Sequence, residues 1–402
     1  MSSRPQHAAR PTRRKAPQRR RRGPLLPLLA LIATGVLVGI ILGMCGMRTL
    51  EPAQTSSSSQ QADINDKTAA SDVAPTPSEP ITVAAVGDMI FDRNVGVLID
   101  ARGGSAPLVN VPSTLAAADV TVGNLESTLS DRGTADADKD VVLRGRPAGI
   151  QGLAASDFSA VSLANNHTLD YGSEALQDTI AALDKAGIKH AGAGMSAAEA
   201  TAPAIIEARG KTIAFLSYSD ILPEGFVATQ SSPGIAAART DMDAVTQTIS
   251  ALKQQYDFVL VSFHWGVEYE DYIIGDQELE AHAAIDAGAD AVLSEHPHVI
   301  QGIEFYQDKL IAYSLGDFVF DHYSRKTGES FILQFELGDE GVTGVTATPT
   351  YLDEYGAPSV VTGDEAQSIL SRLEEISAGM NSSFTIIDDV AHISPITTST
   401  GM

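Results

Sequence analysis

One pattern constrains this chain more than any other. Six apolar runs of strand length are each followed at once by side chains able to bind cations. Residues 81–86 lead into Gly87-Asp88, 120–122 into Gly123-Asn124-Leu125-Glu126, and 158–164 into Asn165-Asn166-His167. Residues 258–263 lead into His264-Trp265-Gly266, 291–293 into Ser294-Glu295-His296-Pro297-His298, and 310–315 into Gly316-Asp317-Phe318. Helix-like stretches lie between them at 173–186, 242–255 and 277–287, with paired strands expected over 331–351 and a late helix over 364–377. Such alternation predicts an α/β domain whose strands are buried on both faces. Sites in such folds form beyond the carboxyl ends of the strands. A lone Gly-Asp after a strand is an ordinary turn. Six polar ends in order, holding four of the nine histidines, point instead to one convergent metal site.

Composition removes several classes. With 44% hydrophobic and 19% charged residues, the chain is neither wholly disordered, nor collagen-like, nor a polytopic membrane protein. The formal charge of −24 conceals a division, because ten of the 27 basic residues and none of the 51 acidic ones fall within residues 1–48. The rest of the chain therefore carries a net −34. Phosphate backbones are repelled by such a surface, so nucleic acid is excluded as a partner of the main domain. A single cysteine, Cys45, permits no intramolecular disulfide and no thiolate metal site.

The amino terminus reads as an address and an anchor. Residues 1–22 form a basic tail ending in four arginines, and residues 23–47 contain no charge. As a helix that apolar stretch would span about 38 Å, enough to cross a hydrocarbon core of about 30 Å. The basic flank places the tail in the cytoplasm and the main domain outside the cell membrane. A cleaved signal peptide has a shorter apolar region and an A-x-A-like site, and none follows Met47; Met44 stands where a lipoprotein signal needs a small residue before Cys45. Residues 48–80, rich in Ser, Gln, Ala and Pro, are expected to be a disordered linker. The main domain is expected over 81–330, with 331–402 completing it.

Imidazole and carboxylate without thiolate suit Mn, Zn or Fe ions. Two divalent ions about 3.5–4 Å apart need a shared oxygen ligand, a place Glu126 can fill, and together they would acidify a water held between them. An unligated histidine is needed to protonate the leaving group. His167 fits that part, with Asp170 three residues on to orient its ring. Trp265, the only tryptophan, is expected either to stack on substrate or to fill the core. His282 reads as structural, and Gly192-Ala193-Gly194 lacks the lysine and context of a phosphate loop.

These residues resemble the capsule-synthesis CapA family, the poly-γ-glutamate synthesis proteins related to calcineurin-like metallophosphoesterases. The resemblance spans roughly 81–321 and rests on AVGDMIFDR (85–93), GNLES (123–127), LANNHTLDYG (163–172), FHWGVEY (263–269), EHPHVIQG (295–302) and YSLGDFVFD (313–321). It implies a four-layer αββα sandwich with a metal centre of one or two divalent ions between two sheets. Asp88 and His298 would then serve one ion, Asn166, His264 and His296 the other, and Glu126 would bridge. His167 and Asp170 would form the acid pair, Arg93 would face an anionic group of the substrate, and Glu268 and Tyr269 would line the cleft. The implied partners are a cell-envelope polymer or its precursor and other membrane subunits of a polymer synthase.

Several positions depart from the pattern. Ile90 stands where the parent phosphoesterases have a metal-binding His, Ser294 replaces a customary Gly, Glu295 and Asp317 add carboxylates, and Asp92 sits beside Arg93 as a potential ion-pair partner. Two function classes stay open at this stage: a metal-dependent hydrolase acting on an extracytoplasmic polymer, and a non-catalytic polymer-binding or scaffold component.

Overall fold

The computed structural model describes residues 79–396. The basic tail, the anchor expected over 23–47 and all but the end of the linker lie outside the described residues. Among the described residues, no helix is long and apolar enough to cross a membrane.

Alternation along the strands decides the layering, because successive side chains leave opposite faces of a sheet. In β1 (Ile81–Met89), Val83 and Ala85 join one core while Ala84 and Val86 join another. Strands β2 (Val120–Leu125), β3 (Ala160–Ser162) and β4 (Lys189–Ala191) follow β1 in parallel succession. The chain then builds a second, six-stranded sheet from β5 (Ala204–Ala208), β6 (Lys211–Ser219), β7 (Phe258–His264), β8 (Ala291–Glu295), β9 (Ile303–Tyr306) and β10 (Lys309–Ala312). Its spatial order is β9-β10-β8-β7-β6-β5. Strand β6, which the punctuation of the sequence does not single out, is an interior member of it.

After β10 the chain returns to the first sheet as β11 (Asp317–Val319), β12 (Glu329–Gly338), β13 (Gly341–Leu352), β14 (Pro358–Val360), β15 (Ser382–Ile387) and β16 (Val390–Pro395). The first sheet thus runs β15-β16-β13-β12-β1-β2-β3-β4, with β11 also beside β1 and β14 beside β13.

The inner faces of both sheets share one apolar core, where Val83 and Val122 meet the cluster of Phe215, Leu260 and Leu293. Helices α1 (Arg93–Arg102) and α2 (Gly172–Ala186) cover the outside of the first sheet, burying Val95, Ile99, Leu176 and Leu183. Helices α3 (Met242–Lys253) and α4 (Gly275–Asp286) cover the outside of the second with Val245, Ile249, Ala281 and Ile285. Helix α5 (Asp364–Ile376) inserts Ile369, Leu370 and Leu373 into the core between the sheets. Each helix has identifiable limits. Asp241 caps α3 by accepting the Ala244 N–H, and Gly187 ends α2 in the left-handed conformation at φ 76°.

Candidate metal centre

Parallel pairing sets the carboxyl ends of β1 and β2 side by side, with Asp88 level with Asn124. On its other flank β1 pairs with β11, level with Asp317. One aspartate is therefore held between two polar neighbours by sheet register alone. The approach is tight: the Asp88 N–H donates to the Gly316 carbonyl at 2.9 Å, and a Cβ on Gly87 would lie 1.8 Å from that same oxygen. Only glycine fits at position 87. Gly316 itself turns at φ 72° to send the chain from one sheet to the other.

The second sheet brings its own ends to the same place. Asn124 donates to Asp88 at 2.7 Å and lies 3.3 Å from His264 Nδ1 at the end of β7. The backbone N–H of His296, just beyond β8, donates to Asp88 Oδ2 at 3.1 Å. His296 and His298 both have positive φ, 98° and 57°, so the His-Pro-His segment is a strained bend that turns two imidazoles into one volume.

Two groups of ligands result. Asp88, His298 and Asp317 offer atoms all within 4.8 Å of one another, with His298 Nδ1 at 2.8 Å from Asp317 and 3.6 Å from Asp88. His264 Nε2 lies 2.8 Å from Asn166 Oδ1 and 3.7 Å from Glu126 Oε1, and the His264 and His296 rings are 4.8 Å apart. Glu126, beside both groups, is fully buried, and neither carboxyl oxygen has a hydrogen-bond partner; the same holds for His296 Nδ1. Unpartnered buried carboxyl oxygens are costly unless something positive meets them. This donor set fits a divalent cation of the oxygen- and imidazole-binding kind.

Electrostatics carries the same message. Burial, and then the charge of Asp88, push the Glu126 carboxyl well above its ordinary range. Burial likewise raises Asp88, against the pull of His298. It raises Glu295 strongly and lifts Asp317 to about 7. On the imidazole side, burial lowers His264 well below its usual value and His296 to about 3. Burial acts downward on His298 as well, but Asp317, Glu126 and Asp88 outweigh it and raise the imidazole to about 10. Several carboxylates share one dry volume, and they cannot all ionise there without cations.

Behind Asn166 stands a proton-handling pair. His167 Nδ1 meets Asp170 Oδ2 at 2.6 Å, leaving Nε2 toward Glu126 at 3.9 Å. Asp170 is buried, takes the Leu143 N–H at 2.7 Å, and is also gripped by Lys139, whose ammonium reaches the Asn166 carbonyl. A cleft of about 360 Å³ opens above, walled by Arg93, Lys139, His167, Glu268, Tyr269 and Tyr323 among others. Another cleft of about 350 Å³ lies beside Phe226 and Pro233, and among the described residues no comparable cluster of buried metal-binding side chains lies under it.

Residues 82–322 match the family described as bacterial capsule synthesis protein PGA_cap. The chain belongs to this family. Among its relatives, it is 31% identical to the capsule biosynthesis protein CapA of Bacillus anthracis, over 71% of this chain and 70% of that one. To the PGA biosynthesis protein CapA of Bacillus subtilis it is 32% identical, over 68% and 72% of the two chains. A probable polyglutamine synthesis accessory protein of Mycobacterium tuberculosis is 34% identical over 55% of this chain and 60% of its own.

Within this family member, the six candidate ligands read from the sequence, Asp88, Glu126, Asn166, His264, His296 and His298, lie around one buried volume, with His167 and Asp170 beside them. Arg93, Glu268 and Tyr269 reach the cleft above. Trp265 does not. It is 1% exposed, stacks on Phe263 at 4.6 Å and donates its indole N–H to the Tyr313 carbonyl, so it belongs to the core rather than to a substrate platform. The potential Asp92–Arg93 pair does not form. Asp92 instead binds Arg146 at 3.0 Å and the Arg144 N–H at 2.8 Å. Arg93 is left with the Tyr323 hydroxyl at 3.2 Å and, among the described residues, no carboxylate within 4.0 Å. Ile90 is fully buried in the apolar layer under α1, and Asp317 takes a ligand's place beside Asp88 and His298. His282 proves structural, bound to Glu304 at 3.0 Å and stacked on Tyr306. Lys139 was missed, because a lone lysine in an acidic loop carries no sequence signal.

Proposed function

We propose that this protein is a membrane-anchored, extracytoplasmic metal-dependent hydrolase that cleaves a linkage in an anionic envelope polymer of the poly-γ-glutamate kind. The observation that carries the reading is Glu126: two buried carboxyl oxygens without partners, between an Asp/His/Asp group and an Asn/His/His group. The layering of two sheets between helices, with the cluster at their carboxyl ends, accords with an αββα metallophosphoesterase sandwich. The anchor is the apolar stretch 23–47, and the polymer class follows from what the Bacillus relatives are named for.

In this reading Asp88, His298 and Asp317 would hold one divalent ion and Asn166, His264 and His296 another, with Glu126 available to both groups. Ions held there supply Lewis acidity to the substrate and an acidified water. Around them, Arg93 binds an anionic group of the polymer with a guanidinium that no carboxylate occupies. His167 keeps its Nδ1 proton on Asp170 and presents Nε2 to the leaving group. Lys139 fixes the carboxylate that orients this ring.

The test is elemental analysis of the purified full-length protein beside a His296→Ala/His298→Ala variant, with both assayed on poly-γ-glutamate and on a generic phosphodiester. Near-stoichiometric metal and turnover, both lost in the variant, are expected. A folded wild type with neither metal nor turnover would remove the hydrolase and leave a polymer-binding or scaffold subunit.

A further inference from the structure

The cleft above the ligands does not end at its tyrosines. Tyr269 and Tyr323 also wall a second cavity of about 280 Å³, completed by Val299, Ser324, Lys326 and Thr327. Both rings are largely exposed, 52% and 71%, yet neither is loosely held. Tyr269 sits at φ 67°, its N–H donates to the Pro297 carbonyl at 2.7 Å, and its ring is 5.9 Å from that of His298. Tyr323 donates its N–H to Thr327 Oγ1 at 3.1 Å and accepts Arg93 through its hydroxyl. Two exposed aromatic faces are thus fixed to the segments that carry the metal ligands and the free guanidinium.

The polar groups of the second cavity are already spent. Ser324 and Thr327 bond each other's backbone, and Lys326 is paired with Asp271 at 2.6 Å. What remains for a ligand is aromatic surface and two phenolic hydroxyls, which suit a flat, uncharged group such as an amide. Among the described residues lining the two cavities, the cation without a carboxylate partner is Arg93, on the cleft side. We infer that the cavity behind Tyr269 and Tyr323 is a subsite for the neighbouring unit of a carboxylate-bearing polyamide, so that the protein grips an interior stretch of the chain rather than a free end. This inference rests on the polymer reading above, but not on catalysis.

Calorimetric titration of the full-length protein with γ-linked glutamate dimer, tetramer and octamer tests it, with acidic-sugar oligomers of matching length as a second arm. Affinity for the glutamate series is expected to rise about tenfold from dimer to tetramer and then level off. Tyr323→Ala should abolish the gain while melting normally, since the ring is exposed, and Tyr323→Phe should retain most of it because the aromatic face remains. Equal affinity for all glutamate lengths overturns the subsite, as does an undiminished gain in Tyr323→Ala. A length dependence confined to the acidic sugars overturns the polyamide assignment. Length-dependent glutamate binding without turnover would uphold the subsite while removing the hydrolase, so the two failures are distinguishable.

Discussion

The two candidate ligand groups of this centre are built from similar side chains, but their imidazoles differ in protonation. At Asp88, His298 and Asp317, the imidazole is held protonated by the carboxylates around it, up to about pH 10. At Asn166, His264 and His296, burial keeps both imidazoles neutral, and His296 is lowered to about 3. The first half carries its own counter-charge, and the second waits for one. A cation bound at the first half would have to expel a proton, whereas one at the second would displace none from the imidazoles. Position within the sheets produces the contrast. Asp317 is placed beside Asp88 by β-strand register, and no carboxylate is placed against His296 in the same way.

Removing the residue common to both halves should have the largest effect. Glu126→Gln is expected to empty both positions and reduce turnover to background. The same change should stabilise the metal-free protein, by roughly 1–3 kcal/mol, because a buried carboxyl group without partners becomes a neutral amide. Elemental analysis and thermal melting with and without chelator check both parts. A variant that keeps both ions shows that Glu126 is not shared.

The halves can next be separated by pH. His298 binds its proton more tightly in the folded, metal-free state, so protons compete with the ion there. Affinity at that half should rise about tenfold per pH unit as pH increases toward 10. Asp317→Asn deletes the partner that contributes most to holding the proton, so it should flatten this slope while weakening the ion about 10–100-fold. His264→Ala should remove one ion and leave the slope intact. Competition titrations with Mn²⁺ across pH, following proton release, decide the matter. Identical slopes in both variants would break the comparison.

Much of this arrangement was legible in the sequence, for a physical reason. A strand end that must bind a cation needs Asp, Asn or His where a turn would otherwise serve, and Asp88, Asn166, His264 and His296-Pro297-His298 all carry that mark. Legibility failed where placement depends on contacts distant in sequence. The sequence marks Asp317 as an added carboxylate, but its place beside Asp88 is set only where the chain crosses from the second sheet to the first at Gly316 and pairs with β1. Strand β6 ends at Ser219, followed by Asp220 outside the cluster, so nothing in the sequence marks it although it is an interior strand of its sheet. Adjacency in sequence offers Asp92 as a partner for Arg93, but Arg146, more than fifty residues away, takes Asp92 instead.

Lys139 sharpens the comparison from beside the second half. Its ammonium holds both the Asp170 carboxylate and the carbonyl of Asn166, joining the proton-handling pair to a ligand. Lys139→Met should lower kcat about 10–100-fold with little change in KM, and Lys139→Arg should recover part of it. An unchanged kcat in Lys139→Met would show that Asp170 is oriented by the Leu143 N–H alone.

The smallest expected effect on activity lies directly behind His264. Trp265 holds the end of β7 from below, its indole stacked on Phe263 and bonded to Tyr313, while its own N–H reaches the Glu295 carbonyl at 3.2 Å. His264 is held by its contacts with Asn166 and Asn124, and this packing supports the end of β7 from which it projects. Trp265→Phe keeps an aromatic ring there but leaves the Tyr313 carbonyl without a partner. It should cost about 1–3 kcal/mol in unfolding experiments and leave KM for the polymer unchanged. A raised KM at unaltered stability would instead mean that the ring meets substrate, which a side chain 1% exposed cannot do without the cleft floor opening.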